Sequence, residues 1–321
     1  MTKPVDEITT SYSEISTWRR CQYQHWLAYR HRYTPLQVKP ALERGIGWDH
    51  ILNLHYEGLQ AAQREGAKPI DRLDHPAFKM FARRIEAELQ DDPDALESQR
   101  ELKDLLRWMY AGYVERWGPD AKWEILEVQK RMVAPLTTIE TPDRILQINL
   151  KVYIDLLVRE QGRGSRGRVW VVDAKSTTAL GRRDLGFNDQ SGLYQWMVAN
   201  HGLLDVPIFG AIFSYALARK NKVKHQPLAE RFKREPYGAT DRELDEIAND
   251  AIESAWQANS RNLDWQPPRS PDDEMCRRRC DFLDACLAHR KGHDLAKFLR
   301  RTDHEVPDWH TPRLEGIDQF S

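Results

Sequence analysis

Apolar positions recur at helical spacing over residues 11–32, where Ile15, Trp18, Tyr23, Trp26 and Tyr29 alternate with polar and basic residues. The pattern predicts an amphipathic helix, with Ser13 and Ser16 supplying half of a capping box. A second helical pattern covers 47–66, with Ile51, Leu54 and Leu59 on one stripe and Gly66 as the stop. Residues 74–117 predict further charged helices, broken near Asp91–Asp94 and stopped at Trp117–Asp120. At Trp123 the period shortens. Segments 123–136, 145–160 and 167–177 alternate or run β-branched between turn-forming stretches, which predicts three successive strands in a meander. A helix over 187–202 and a strand over 205–219 follow. The helix predicted over 238–260 has Thr240 as its N-cap and Glu243 three residues on. A Pro-rich link (266–271), a cysteine segment, a terminal helix near 288–300 and a loosely held polar tail (302–321) complete the chain.

Helices, a mixed sheet and further helices read as one α/β fold decorated at both ends. The expected divisions are a helical region to residue 120, a core over 121–235, C-terminal helices with the cysteine segment over 236–301, and the tail. Hydrophobic residues are 40% of the 321 and charged residues 30%, as in a soluble globular protein. No apolar run reaches the roughly 18–20 residues of a membrane span. The first residues lack the apolar stretch of a signal peptide, so a cytoplasmic location is expected. The net charge of −1 does not announce a nucleic-acid binder. Basic residues nonetheless gather at 19–33, 218–225, 276–280 and 289–301, which can make a local positive face on a neutral protein.

The chemistry concentrates at two places. Asp155 and Asp173 lie on neighbouring predicted strands. If these pair antiparallel, the two acids meet at one end, provided strand lengths or a bend compensate. Adjacent carboxylates are costly without a cation, and with one they form the hard-oxygen site that Mg²⁺ or Mn²⁺ prefers. Lys175 falls two residues beyond Asp173, on the same strand face. There it could position or deprotonate a water, or stabilise charge developing on a phosphate. From these residues alone a surface ion pair is an equal reading.

The second place is the cysteine set. Cys276, Cys280 and Cys286 form a C-x₃-C-x₅-C run, and Cys21 sits far away in the first predicted helix. In a reducing compartment disulfides are not expected. Four thiolates closing the two ends of the chain would suit zinc or an iron–sulfur cluster, and spacing leaves both open.

Taken in order, these motifs resemble the RecB-like branch of the PD-(D/E)XK nuclease superfamily over roughly residues 11–290. His50 follows Gly45 and Gly47 on a helix, Glu127 lies on the first core strand, and Asp155 precedes Asp173-Ala174-Lys175. Gln190 and Tyr194 form the downstream Gln-x-x-x-Tyr. The chain departs from the branch at Tyr153, where glycine is frequent, and at Ala174, where tyrosine is. The resemblance implies a restriction-endonuclease-like core, with His50, Asp155, Asp173 and the Ala174 carbonyl holding Mg²⁺ or Mn²⁺. It implies catalytic roles for Lys175, Asp155, Asp173, Glu127, Gln190 and Tyr194. Gln190 and Tyr194 would hold Lys175 or touch the DNA backbone.

For the cysteines the same resemblance implies a 4Fe–4S cluster on Cys21, Cys276, Cys280 and Cys286, with zinc the less favoured occupant. The trailing cysteines are spaced by three residues where the branch has two. The implied function is an exonuclease on DNA ends or single strands, in recombination, repair or phage DNA processing, from a bacterium or phage. The alternative is an inactive iron–sulfur or zinc subunit that binds DNA or supports assembly. The chain has no Walker-type phosphate loop, so unwinding would need a helicase or recombination partner. Trp18, Tyr23, Trp26 and Tyr29 would either stack single-stranded DNA or fill the core.

Overall fold

Residues 12–30 fold helically, but not as one helix, and the break falls at a cysteine. The computed structural model describes residues 3–35, 40–66, 93–162, 167–180, 189–201, 208–219, 226–260, 266–270 and 273–301. These belong to two compact units. One comprises Met1–Pro40, Met132–Val152 and Arg242–Ser321, and the other Ala41–Arg131 and Tyr153–Asp241.

In the first unit, strand β1 (Val5–Ser11) ends at a residue that also starts a helix. The Ser11 Oγ accepts from the Glu14 amide at 3.3 Å and caps α1 (Tyr12–Arg20). The capping residue is therefore Ser11 rather than Ser13, and Glu14 stands in the Ser-x-x-Glu position that favours such caps. Cys21 is extended, with φ −159°, and separates α1 from α2 (Gln22–His25), which runs into a π-helical turn over Trp26–Arg30. Trp18 and Tyr23 are 6% and 1% exposed, so these two rings are core residues and not an open stacking platform.

Helix α7 (Asp241–Asn259) presents Ala248, Ala251, Ala255 and Ala258 to the interior. Arg19 Nε donates to Ser254 on it at 2.8 Å, and Arg30 donates to Asn259 at 3.2 Å. Short helices α8 (Asp273–Arg279) and α9 (Leu283–Arg290) follow. The helix expected near 288–300 does not form. Gly292, at φ 78°, lies just past α9, and Leu295–Lys297 makes a 3₁₀ turn. Leu299–Arg301 then becomes strand β8, antiparallel to β2 (Tyr33–Pro35). Tyr23, Leu27, Ala28, Phe282, Ala285 and Leu299 form a small apolar cluster here. The predicted tail 302–321 lies outside the described residues.

In the second unit, α3 (Pro40–Glu65) stops at Gly66, whose φ of 64° suits a glycine C-cap. Helix α4 (Pro93–Trp117) starts in the Asp91–Asp94 stretch, and the predicted helical residues 74–92 lie outside the described ones. The strands are β3 (Trp123–Glu140) up to Arg131, β4 (Ile145–Glu160) from Tyr153, β5 (Val169–Thr177), β6 (Ile208–Leu217) and β7 (Phe232–Tyr237). Helices α5 (Asp189–Asn200) and α6 (Leu228–Arg231) complete the elements.

The sheet is mixed and flanked by helices. In this unit β4, β5, β6 and β7 lie side by side, antiparallel except for the parallel β5–β6 pair, and β3 pairs with β4. In the first unit, β1 lies parallel to residues 145–151 of β4. Trp48, Ile51, Tyr56, Leu106, Met109, Tyr110, Tyr113 and Val158 are among the residues that fill the second unit's core.

Inside that core sits a buried cation. The Arg234 guanidinium lies between the Trp117 and Trp123 rings, 4.1 and 3.9 Å from their centroids. It donates to both carboxylate oxygens of Asp120, at 2.6 and 2.8 Å, and to the Tyr56 and Tyr113 hydroxyls at 3.0 Å. A bidentate pair with stacked rings satisfies a charge that would otherwise be prohibitive to bury.

Candidate active site

Strand pairing brings the two predicted acids together without any compensating bend. Leu156 opposes Val172 and Leu157 opposes Val171, so the same register places Asp155 opposite Asp173, one step beyond the last paired residues. At that step the backbone ladder gives way to a side chain: the Ala174 amide donates to Asp155 Oδ2 at 2.9 Å. Asp173 is 3% exposed, because β5 is covered on both faces over its first five residues.

Lys175, two residues along, reaches back to Asp173 Oδ1 at 2.9 Å. It also donates to Gln190 Oε1 at 3.3 Å, and the Gln190 amide donates in turn to the Tyr194 hydroxyl at 3.0 Å. Gln190 and Tyr194 are one turn apart on α5, as their spacing requires. The ammonium is thus held between a strand acid and a helix amide. Burial pulls the Lys175 pKa down, but Asp173 and Asp155 more than offset it and hold the group above its ordinary value. Burial raises the Tyr194 phenol.

The carboxylates crowd one another. Burial first, then Asp49 and Asp173, pushes the Asp155 carboxyl well above the usual range. Asp49 is the residue of α3 that acts on this centre. Burial pushes its carboxyl up to about 6, with Asp173 adding to the rise and Asn53, Lys175 and Gln129 opposing it. His50, the next residue, lies about 100° further round the helix and is half-buried. Glu127 engages Lys130 at 3.1 Å, each about one-third exposed. Asp155, Asp173, Lys175, Gln190 and Tyr194 are therefore brought together. Asp49 joins them, a residue that the spacing of glycine and histidine did not single out.

One observation bears on a cation. Asp173 Oδ2 is buried and has no hydrogen-bond partner, whereas Oδ1 is taken by Lys175. A bare, buried carboxylate oxygen beside two further acids is the donor set of a hard divalent ion, so the residues fit one. Among the described residues no three His, Cys, Asp or Glu side chains are already grouped so as to hold a metal ion.

The cysteines lie in the first unit. Cys21, Cys280 and Cys286 pack on the Tyr23–Leu27–Phe282 cluster. Burial pushes the Cys280 thiol up to about 11, with Cys21, Cys276 and Asp281 adding to the rise. Arg269 donates to Cys286 Sγ at 3.3 Å and lies over the Tyr23 ring.

An acid within one strand, an acid-x-lysine on the neighbouring strand and a mixed sheet beneath them are an arrangement suited to metal-assisted hydrolysis of a charged ester. The family model described as the PD-(D/E)XK nuclease superfamily matches residues 9–287, and the chain belongs to that superfamily. Its members are nucleases and typically use Mg²⁺ or Mn²⁺. No curated protein matches the chain. Among the described residues no helix is long and apolar enough to cross a membrane.

Proposed function

We propose that this chain is a divalent-cation-dependent DNA exonuclease acting at ends or on single strands. The observation that carries the proposal is Asp173, buried with one oxygen on Lys175 and the other bare, directly across from Asp155. Asp155, Asp173 and the Ala174 carbonyl would hold Mg²⁺ or Mn²⁺, with α3 supplying a further donor, His50 or Asp49. When bound, the ion supplies Lewis-acid polarisation of the phosphate and a water acidified enough to attack at neutral pH.

The residues' own tasks follow from their surroundings. Lys175 is held as an ammonium by Asp173 and Asp155, which favours neutralising charge on the phosphate oxygens over acting as a resting base. Gln190 fixes the direction of that ammonium, and Tyr194 fixes Gln190. An exonuclease fits relatives of the RecB-like branch, as does a role in recombination, repair or phage DNA processing beside a helicase.

In the same proposal, Cys21, Cys276, Cys280 and Cys286 hold a 4Fe–4S cluster that ties the N-terminal helices to α8 and α9. The packing of Cys21, Cys280 and Cys286 on one apolar cluster supports a shared site. The activity is tested with end-labelled and circular DNA, single- and double-stranded, with Mg²⁺ or Mn²⁺. Cleavage confined to molecules with ends supports the reading. Cleavage of circles overturns the exonuclease assignment, and no cleavage of any substrate, with DNA binding intact, supports an inactive assembly subunit instead.

A further inference from the structure

Strand β3 contains a conformation that strands avoid. Gln129, a non-glycine residue within an 18-residue strand, has φ 50°. Left-handed backbone is strained for a side chain of this kind, and such strain persists where surroundings hold it and often marks a functional site. The Gln129 side chain hydrogen-bonds Asp49. From the other side the Asn53 amide, one turn along α3, reaches Asp49 Oδ2 at 3.4 Å. Two amides from two elements are thus spent on one carboxylate that interacts electrostatically with Asp155 and Asp173.

We propose that Asp49, positioned by Gln129 and Asn53, is the ligand that α3 contributes to the cation, and that it sets which cation the site accepts. The inference rests on the nuclease reading of this centre. Asp173 Oδ2, buried and without a hydrogen-bond partner, is the independent sign that an ion belongs there. Three carboxylates against the Lys175 ammonium leave two negative charges, which one divalent ion balances. A ligand set of carboxylates and a backbone carbonyl is all oxygen. It suits Mg²⁺ and disfavours borderline ions, whereas an imidazole in the same place would raise affinity for Co²⁺ or Ni²⁺. Gln129 is a positioning residue: it touches Asp49 and not the ion.

The test is calorimetric titration of the full chain with Mg²⁺ alone and with Co²⁺ alone, without DNA. Asp49→Asn is expected to weaken Mg²⁺ roughly tenfold or more, as loss of a ligand's charge requires. Asp49→His should recover Co²⁺ binding while leaving Mg²⁺ weak. Gln129→Gly relieves the backbone strain and removes the amide, so the melting temperature should hold or rise while Mg²⁺ affinity falls about tenfold, the scale of an outer-shell loss. Wild-type Mg²⁺ affinity in Asp49→Asn, with a loss in His50→Gln instead, overturns the inference and leaves the nuclease reading standing. If Asp155→Asn also keeps wild-type Mg²⁺ affinity, the ion does not bind at this centre and both readings fall.

Discussion

Asp155 accepts a hydrogen bond from the backbone amide of Ala174 at 2.9 Å, one residue beyond the last paired position of β4 and β5. The side chain takes over where the ladder stops. That exchange leaves Ala174 and the two acids where the β4–β5 pairing ends, beside the ammonium of Lys175.

Lys175→Met should abolish most cleavage, by about 10²–10³-fold, the usual cost of losing a charge-stabilising donor. Binding of Mg²⁺ should survive or tighten, because the acids lose their internal counter-ion. Turnover of labelled DNA and calorimetry on the same preparation check this. Near-wild-type turnover would remove Lys175 from the chemistry.

The Asp49 carboxyl sits at about 6, raised chiefly by burial and further by Asp173, against an ordinary 3.8. The cation-free fold therefore holds this proton more tightly than the unfolded chain. That stabilisation is complete below about pH 4 and is lost as pH rises through about 6. Cation binding runs the other way, since a ligand must be deprotonated. Added Mg²⁺ should raise the melting temperature more at pH 7.5 than at pH 5. An equal gain at both would contradict this.

Arg234→Met leaves Asp120 buried without its cation and takes the guanidinium donor from the Tyr56 and Tyr113 hydroxyls. Breaking such a pair from one side costs about 3–5 kcal/mol. Urea unfolding should show that loss, and adding Asp120→Asn should return part of it. Additive losses in the double variant would mean the two groups do not act as one unit.

Cys21→Ala should lose the visible absorbance of an iron–sulfur cluster and lower thermal stability. Metal analysis and absorbance of the anaerobically purified protein check both. A colourless wild-type protein carrying stoichiometric zinc would transfer the thiolates to that ion.

Where side chains alternate or repeat along one element, the sequence was informative. Lys175 lies on the face of Asp173 because a strand has period two, and Gln190 lies over Tyr194 because a helix places i and i+4 together. Joining elements was harder. Asp49 looked like one more charge on a helix, since its importance depends on β3 bringing Gln129 to it. Nothing local announces a left-handed glutamine inside a strand. A helix start was misplaced where a competing acceptor lay nearby, as with Ser11 against Ser13. Leu299–Arg301 carried a helix-compatible pattern but was drawn into a strand by β2, a partner more than 260 positions away.

Strand β1 reads Val-Asp-Glu-Ile-Thr-Thr-Ser, in which two adjacent acids interrupt residues that otherwise favour a sheet. Its partners are residues 145–151. During synthesis these backbone amides and carbonyls must wait, unpaired, until that stretch has emerged. A hydrophobic strand left open for so long would be a template for any passing chain. The acids that hide β1 from sequence reading also keep it soluble until its place in the sheet exists.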